Sequence, residues 1–236
     1  MSVNRAIFNN SVFLFALIPV VAIWGFWVTY FTRPPETLSA YDHIHGLAMF
    51  GWTFMLISQS YLIRTNRRDI HRMMGKLSYL LAPLVIISTL VLANYRLNVR
   101  GLTEQGMYFL ELQLFIIIQF TVFYVMAIRW RKRPDVHARW MICTAFTLLD
   151  PILARVLMIN FLQVPLESGI IQYFTFGFID LMVVALVIWD WKSHQRCDVF
   201  LPALILLLVT HLSVFVFNGT AVWESFATWY RALPIS

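Results

Sequence analysis

The stretch that decides the fold runs from Met107 to Ile128 and reads MYFLELQLFIIIQFTVFYVMAI. Every residue in it is uncharged except Glu111. A helix needs ~20 predominantly apolar residues to cross the hydrocarbon core of a bilayer. The stretch is therefore long enough to span a membrane, and it carries one ionisable group where such groups are costly.

Six further apolar runs of similar length accompany this stretch. They cover Ala6–Phe31, His45–Ile63, Leu77–Tyr95, Trp140–Leu162, Gly169–Trp189 and Val199–Phe217. The chain as a whole is 60% hydrophobic and 13% charged, far from the balance of a soluble domain. The pattern predicts an all-α polytopic membrane protein, a bundle of seven transmembrane helices.

Positive charge is divided unevenly between alternate ends of these runs. Thirteen of the 18 lysines and arginines fall at one end, mainly around residues 64–76 and 129–139. By the positive-inside rule, this end and the N-terminus face the cytoplasm and the C-terminus lies outside. Because these loops are short and close to the membrane, the net charge of +6 suits lipid head groups and argues against nucleic acid. We expect a bacterial inner-membrane protein whose partners are the bilayer and a membrane protein or a second copy of the chain.

A weak internal repeat links two parts of the chain. Arg68–Met74 (RDIHRMM) resembles Pro134–Met141 (PDVHARWM), and both segments follow a basic loop and open a helix. The repeat gives His71 and His137 equivalent positions. Two interpretations are open: the aspartates of the two Asp-x-His motifs cap the helix starts, or the two histidines form a ligand pair on the cytoplasmic side.

The repeat also suggests a domain organisation. Residues 1–220 form the membrane domain, within which 42–95 and 107–162 are related hairpins. The spacing of the aromatic residues in 221–236 predicts an amphipathic segment on the outer surface.

Four charged residues lie deep inside the apolar runs: Glu111, Asp150, Asp180 and Arg155. At ~1.5 Å per residue, Asp150 and Asp180 lie near the midplane and the other two nearer the outer end. Such groups must face the bundle interior, because lipid cannot satisfy them. We expect Arg155 to pair across helices with Glu111 or Asp180. Asp150 directly precedes Pro151. An alternative to a functional role is that its side chain hydrogen-bonds to backbone groups that lose their partners at a proline kink.

The first functional hypothesis is a metal site that opens to the outer face. Imidazole and carboxylate groups are suitable ligands for zinc, copper or iron. Asp150 or Asp180 would orient a metal ligand or act as a general base beside the ion. Seven-helix membrane hydrolases of the ceramidase and progestin-receptor type resemble this chain in architecture and residue types, but Phe215 stands where their second helical histidine would be. The ligand set would be His43, His45, Glu111 and His211.

Two further hypotheses differ in class. A b-type haem needs two axial histidines at one depth, which His45 with His211, or His71 with His137, would supply. A non-enzymatic bundle that handles protons or solutes, or an accessory subunit, would explain the buried acids and Arg155 without a cofactor. Simpler structural roles are also open. His43 and His45 would cap the start of the second helix beside Asp42, and His211 would be a core residue whose ring hydrogen-bonds to a backbone carbonyl.

A resemblance covers about half of the chain. The chain resembles an uncharacterised family of bacterial multi-pass membrane proteins. The residues that carry the resemblance are Asp42-His43-Ile44-His45-Gly46, Trp52, Gln59, the IHRMMG segment of residues 70–75, the HARWM segment of residues 137–141, and Arg155. Its members carry His-rich, Gln and His-Arg-x-x-Gly features over the second to fifth helices. The resemblance implies the fold and no established activity. It places six residues in one pattern: His43, His45, Gln59, His71, His137 and Arg155.

Overall fold

The computed structural model describes residues 3–163 and 169–236, and these residues are almost entirely helical. Nine α-helices follow one another in this part of the chain: α1 Val3–Phe26, α2 Ala40–Arg64, α3 Arg68–Gly75, α4 Ser78–Arg100, α5 Glu104–Arg129, α6 Pro134–Val156, α7 Ile170–His194, α8 Phe200–Val216 and α9 Ala221–Arg231. π-Helical turns at Trp27–Phe31 and Leu157–Leu162 extend α1 and α6.

Six of these helices are long and apolar enough to cross a membrane: α1, α2, α4, α5, α6 and α7. α8 has 17 residues and passes the same test only together with α9, from which it is bent by 97°. The prediction of an all-α membrane bundle is confirmed, with six or seven spanning helices according to how this bent pair is counted.

Five of the helices form a closed ring. α1 packs on α2, α2 on α4, α4 on α5, α5 on α6, and α6 returns to α1. Four of these contacts join neighbours in sequence, as short loops require. The contact between α6 and α1 is distant in sequence, and Gly25 makes it close, because a Cβ atom there would lie 2.8 Å from the Ile152 carbonyl oxygen. α7 and α8 pack against each other on the outside of the ring, beside α5 and α6.

The loops after α2, α5 and α7 lie at one end of the bundle, which we call the basic end. In this part of the structure, the Asp-x-His motifs do not cap their helices. α3 and α6 begin after Arg67 and Arg133 without a side-chain cap. Asp69 instead binds Arg72, at 2.6 Å. Asp135 binds Arg196, so the capping interpretation is wrong for both motifs.

The last helix, α9, lies across the ends of α4 and α5. Its buried face consists of Trp223, Ala227 and Tyr230. Tyr230 donates its hydroxyl hydrogen to the Leu90 carbonyl at 2.7 Å, and its own carbonyl accepts from Asn94 Nδ2 at 2.5 Å. The helix is therefore fastened to α4 by hydrogen bonds at both its side chain and its backbone.

Candidate functional site

A cavity of about 530 Å³ lies inside the five-helix ring, in the half away from the basic end. All five ring helices and the π-helical turn after α1 contribute to its wall. Its volume falls in the range of small-molecule binding sites. Its deeper part is lined mainly by apolar side chains, among them Met49, Phe50, Val85, Ile117 and Phe120.

Arginines from three parts of the chain line the outer part of the cavity. Arg33 follows the π-helical turn of α1, Arg96 and Arg100 lie in the last two turns of α4, and Arg155 lies on α6. Arg96 Nη2 donates to Asp42 Oδ1 at 2.6 Å. Asp42 is the one acid among the residues of this wall that the structure describes. The outer part of the cavity is therefore electropositive.

A side chamber of about 100 Å³ adjoins these arginines. It shares Arg96, Arg100 and Arg155 with the main cavity and adds Asp150 and Gln172 to the lining. The main cavity and the side chamber together are lined by four arginines and two aspartates. The side chamber is thus the polar part of the site, and it retains an excess of positive charge.

The guanidinium group of Arg155 contacts a backbone carbonyl and an aromatic ring, neither of which carries a negative charge. Its Nη1 donates to the Pro151 carbonyl one turn earlier, at 2.8 Å, and its guanidinium carbon lies 4.3 Å from the centre of the Phe26 ring. The predicted ion pair with Glu111 or Asp180 is wrong. Within residues 3–163 and 169–236, no carboxylate lies within ion-pair distance of Arg155.

The two histidines that open α2 have different surroundings. His43 is exposed and its Nδ1 lies 2.8 Å from the hydroxyl of Tyr30. His45 lines the cavity, and its Nδ1 lies 3.3 Å from Ser88 Oγ and 3.5 Å from Thr89 Oγ1. Residues two apart on a helix point in different directions, so the pair does not converge on one ion.

The buried acids also have separate surroundings. Glu111 is 0% exposed, and neither of its carboxylate oxygens has a hydrogen-bond partner among the described residues. Asp150 accepts a hydrogen bond from Thr175 Oγ1 at 2.6 Å. Asp150 therefore bonds to α7, and no contact among the described residues supports the alternative in which it satisfies backbone groups near Pro151.

Asp180 and His211 form a pair between α7 and α8. His211 Nδ1 lies 3.0 Å from Asp180 Oδ1, and the imidazole ring is stacked on Phe176 with centroids 4.0 Å apart. Both partners are largely buried, at 17% and 7% exposure. His211 is therefore oriented by a carboxylate, and its contacts with α7 place it outside the ring of helices that encloses the cavity.

The predicted metal site has no geometric support in the described residues. No three His, Cys, Asp or Glu side chains in that part of the chain lie close enough together to hold one ion. Of the proposed ligands His43, His45, Glu111 and His211, only His45 lines the cavity. The haem hypothesis stays a prediction, although its outer axial pair, His45 and His211, is likewise divided between the cavity and the α7–α8 contact.

The basic end brings together the other predicted residues. His71 on α3 lies within electrostatic range of His137 on α6, and its ring faces the backbone carbonyl of Gln59 on α2. His137 Nδ1 lies 2.9 Å from the Ala127 carbonyl oxygen. The two histidines that the repeat places at equivalent positions in sequence thus lie at the same end of the bundle.

Sequence reasoning missed one fully buried ion pair, which joins Arg139 to Asp190 at 2.7 Å. Arg139 was counted among the bases near the lipid head groups, but it is 1% exposed and lies between α6 and α7. The sequence does contain one sign of this buried pair. Asp190 stands between Trp189 and Trp191 at the end of an apolar run, close to loops whose charges are otherwise mostly positive.

Comparison with protein-family models, with curated proteins and with solved structures finds no match to this chain. Of the expected resemblance to a family, the structure supports only a multi-pass helical membrane architecture.

Proposed function

We propose that this integral membrane protein binds an anionic amphiphile, with the anionic head group among the arginines and the apolar chain in the deeper part of the cavity. The observation that carries the proposal is the position of Arg155. A guanidinium group inside a membrane bundle is costly unless an anion accompanies it. Arg155 has a carbonyl and an aromatic ring as partners, and it lines both the cavity and the side chamber.

The chemistry of the wall supports this class of ligand. Guanidinium groups bind carboxylate and phosphate oxygens in bidentate geometry, and they are more weakly hydrated than ammonium groups. Below the arginines, the lining changes to aromatic and aliphatic side chains, which favour a hydrocarbon chain. A soluble anion without a chain would leave this apolar space without a matching group.

The position of the cavity in the bundle also supports an amphiphile. Ile23 on α1 and Phe50 on α2 line the cavity and are 44% and 60% exposed. The cavity wall therefore extends to the surface that faces lipid. An amphiphile would reach the site from the bilayer with its head group at the level of Arg33, at the end of α1.

The experiment measures binding of dodecyl phosphate and laurate to the purified protein in detergent-free nanodiscs, by displacement of a fluorescent fatty acid. Hydrogen bonds to a charged group contribute ~1.5–3 kcal/mol, so Arg155→Gln should weaken both probes roughly 10- to 100-fold. Arg155→Lys should restore part of the affinity. Arg231→Gln is the matched control, because Arg231 is exposed on α9 and contacts Asn98 instead of the cavity.

A second variant tests the apolar part of the cavity. Met49→Trp should weaken probes with long chains more than probes with short chains, whereas Arg155→Gln should weaken all chain lengths equally. A thermal unfolding transition at the wild-type temperature and a single peak in size-exclusion chromatography would show that each variant is folded. Unchanged affinity in both variants, or failure of every anionic amphiphile to displace the fluorescent probe, would overturn the proposal.

A second candidate function is proton handling, favoured by the His211–Asp180 contact. A carboxylate next to an imidazole at a buried position is a common element of proton relays. On this hypothesis, Asp150 and Asp180, first expected to assist a metal ion as orienting group or general base, would instead transfer protons. Proton uptake by vesicles that contain Asp180→Asn would be slower than uptake by wild type, and equal rates would exclude the hypothesis.

A further inference from the structure

The side chamber contains two hydrogen-bond acceptors that the main cavity does not share. They are the side-chain oxygens of Asp150 on α6 and Gln172 on α7. Both side chains are almost fully buried, since the two residues are 5% and 1% exposed. The three arginines of the chamber, in contrast, line the main cavity as well. The chamber thus places two acceptors beside guanidinium groups, which can only donate.

A hydrogen bond between α6 and α7 explains why the two acceptors lie together. Thr175 Oγ1 donates to Asp150 Oδ1 at 2.6 Å, so this part of α7 is in contact with Asp150. Gln172 precedes Thr175 by three residues, and residues three apart on a helix are neighbours on one face. Gln172 therefore lies on the face of α7 that meets Asp150, and both residues line one space of about 100 Å³.

Both acceptors can accept further hydrogen bonds. Gln172 Oε1 is buried and has no hydrogen-bond partner among the described residues. The bond from Thr175 goes to Asp150 Oδ1, and no described residue donates to Oδ2. Buried acceptors normally have donors, and the lack of one is costly. A ligand that brings donors into the chamber would therefore gain affinity from these two oxygens.

The shared arginines connect the chamber to the anion site of the main cavity. Arg96, Arg100 and Arg155 line both spaces, so an anionic group bound by them lies within reach of the chamber. Phe109, which also lines the chamber, has its ring centre 4.2 Å from the guanidinium carbon of Arg100. Since arginines outnumber aspartates around the two spaces, a head group with net negative charge is favoured over a zwitterionic one.

We propose that the amphiphile is a phosphodiester whose head group ends in a small polyol, with the phosphate at the shared arginines and the hydroxyl groups in the side chamber. This inference rests on the proposed function and adds the chemical class of the head group. Two neighbouring hydroxyl groups would supply one donor for Asp150 and one for Gln172. A single water molecule needs ~10–15 Å³, so a chamber of about 100 Å³ has room for several polar atoms.

Simpler head groups fit the two acceptors less well. A carboxylate or a phosphodiester with a methyl group would bind the arginines but bring no donor to Asp150 or Gln172. An ammonium group would bring donors, but its positive charge would lie beside three arginines. The polyol phosphodiester combines a net negative charge with two neutral donors, which matches the groups around both spaces.

The experiment compares three dodecyl phosphodiesters that share one chain: the glyceryl, the methyl and the 2-aminoethyl ester. Each displaces a fluorescent fatty acid from the full-length protein in phosphatidylcholine nanodiscs. The glyceryl and methyl esters have the same charge, so their affinities differ only through the hydroxyl groups. With two added hydrogen bonds, the glyceryl ester should bind roughly tenfold more tightly than the methyl ester. It should also bind more tightly than the zwitterionic 2-aminoethyl ester.

Two variants test where the hydroxyl groups bind. Gln172→Met removes one acceptor, and Asp150→Asn replaces one acceptor oxygen by an NH₂ donor at nearly constant size. Each should reduce the preference for the glyceryl over the methyl ester several-fold. Gln119→Met is the matched control, because Gln119 is a buried glutamine that donates to Thr210 and lines neither space. The preference is a ratio of two Kd values, so a smaller folded fraction does not change it.

The outcomes separate this inference from the proposed function. Failure of all three esters to displace the fluorescent fatty acid would overturn both. Equal binding of the glyceryl and methyl esters to the wild type would overturn the polyol assignment alone, because an anionic amphiphile would still bind. Tighter binding of the 2-aminoethyl ester would overturn it as well. An unchanged preference in both Gln172→Met and Asp150→Asn would show that the hydroxyl groups do not bind in the side chamber.

Discussion

Arg139 and Asp190 bind each other through two parallel hydrogen bonds inside the bundle. Arg139 Nε donates to Asp190 Oδ2 at 2.9 Å, and Nη2 donates to Oδ1 at 2.7 Å. The two side chains are 1% and 2% exposed and join α6 to α7. α7 packs on the outside of the five-helix ring, so this pair connects the ring to an outer helix near the basic end.

Removal of one partner of this pair should destabilise the protein strongly. Asp190→Asn leaves a buried guanidinium without its counter-charge, a change that costs ~3–5 kcal/mol. Thermal unfolding in detergent should show a large decrease in Tm. Asp69→Asn is the control, because Asp69 forms an exposed pair with Arg72 and such pairs contribute little. A Tm of Asp190→Asn close to that of Asp69→Asn would contradict the prediction. Replacement of both partners by apolar residues, Arg139→Met with Asp190→Leu, should recover most of the lost stability.

At Glu111 we expect a substitution to raise the stability of the protein instead of lowering it. Its carboxylate is 0% exposed, and both oxygens lack a hydrogen-bond partner among the described residues. Replacement by an apolar side chain of similar size removes a desolvated polar group, so Glu111→Met should raise the free energy of unfolding by ~1–3 kcal/mol. Urea or heat unfolding measures the change, with exposed Glu104→Met as the control. A clear loss of stability in Glu111→Met would mean that the carboxylate has a partner.

Close packing of α1 on α6 should make Gly25 intolerant of a side chain. In Gly25→Ala, the new Cβ would lie 2.8 Å from the Ile152 carbonyl oxygen and 3.2 Å from a methyl group of Val156. Backbone atoms cannot move aside easily, so we expect a loss of ~1–3 kcal/mol. Gly177→Ala on α7 is a matched control, because no atom lies within 4 Å of its Cβ position. Equal stability of the two variants would show that α1 can separate from α6 at little cost.

Asn94 should control the docking of α9. Its side chain donates to the Tyr230 carbonyl and accepts from Ser236 Oγ at 2.6 Å. Asn94→Ala removes both bonds, so amide hydrogens of residues 221–231 should exchange faster, by roughly tenfold for each ~1.4 kcal/mol lost. Hydrogen-exchange mass spectrometry measures this rate. Asn160→Ala, whose amide bonds only within its own helix, should leave the exchange of α9 unchanged.

The stability of the protein should fall between about pH 7.5 and about pH 5.5, in part through His71. Burial and the nearby His137 lower the pKa of His71 from its usual value of 6.5 in the folded protein. The unfolded chain therefore binds a proton first as the pH falls through 6.5, and stability is lost toward the folded-state pKa. His71→Asn should show a smaller decrease in Tm over this range. An identical decrease in wild type and variant would remove His71 as a contributor.

The apolar runs were sufficient to predict the helices, because membrane insertion depends on length and composition that can be read along the chain. Pairing between helices could not be predicted in the same way. Arg139 and Asp190 are 51 residues apart, and no periodic signal connects them. The cavity depends on the contact of α1 with α6, which closes the ring, and this contact is equally remote in sequence. The proposed metal ligands do not converge for a local reason: His43 and His45 are only two residues apart in sequence, but they lie against Tyr30 and Ser88 respectively.

The short length of α8 has a consequence for the surrounding lipid. Its 17 residues rise ~25 Å at ~1.5 Å per residue, a few ångströms less than the ~30 Å hydrocarbon core of an average bilayer. The neighbouring α7 has 25 residues and does not share this deficit. If α8 crosses the membrane as a span of its own, the bilayer should therefore become thinner along this side of the protein, at a cost of a fraction of a kcal/mol per Å of mismatch. The protein should accordingly partition into membrane regions with short acyl chains, and lipids beside α8 should be less ordered than those beside α7.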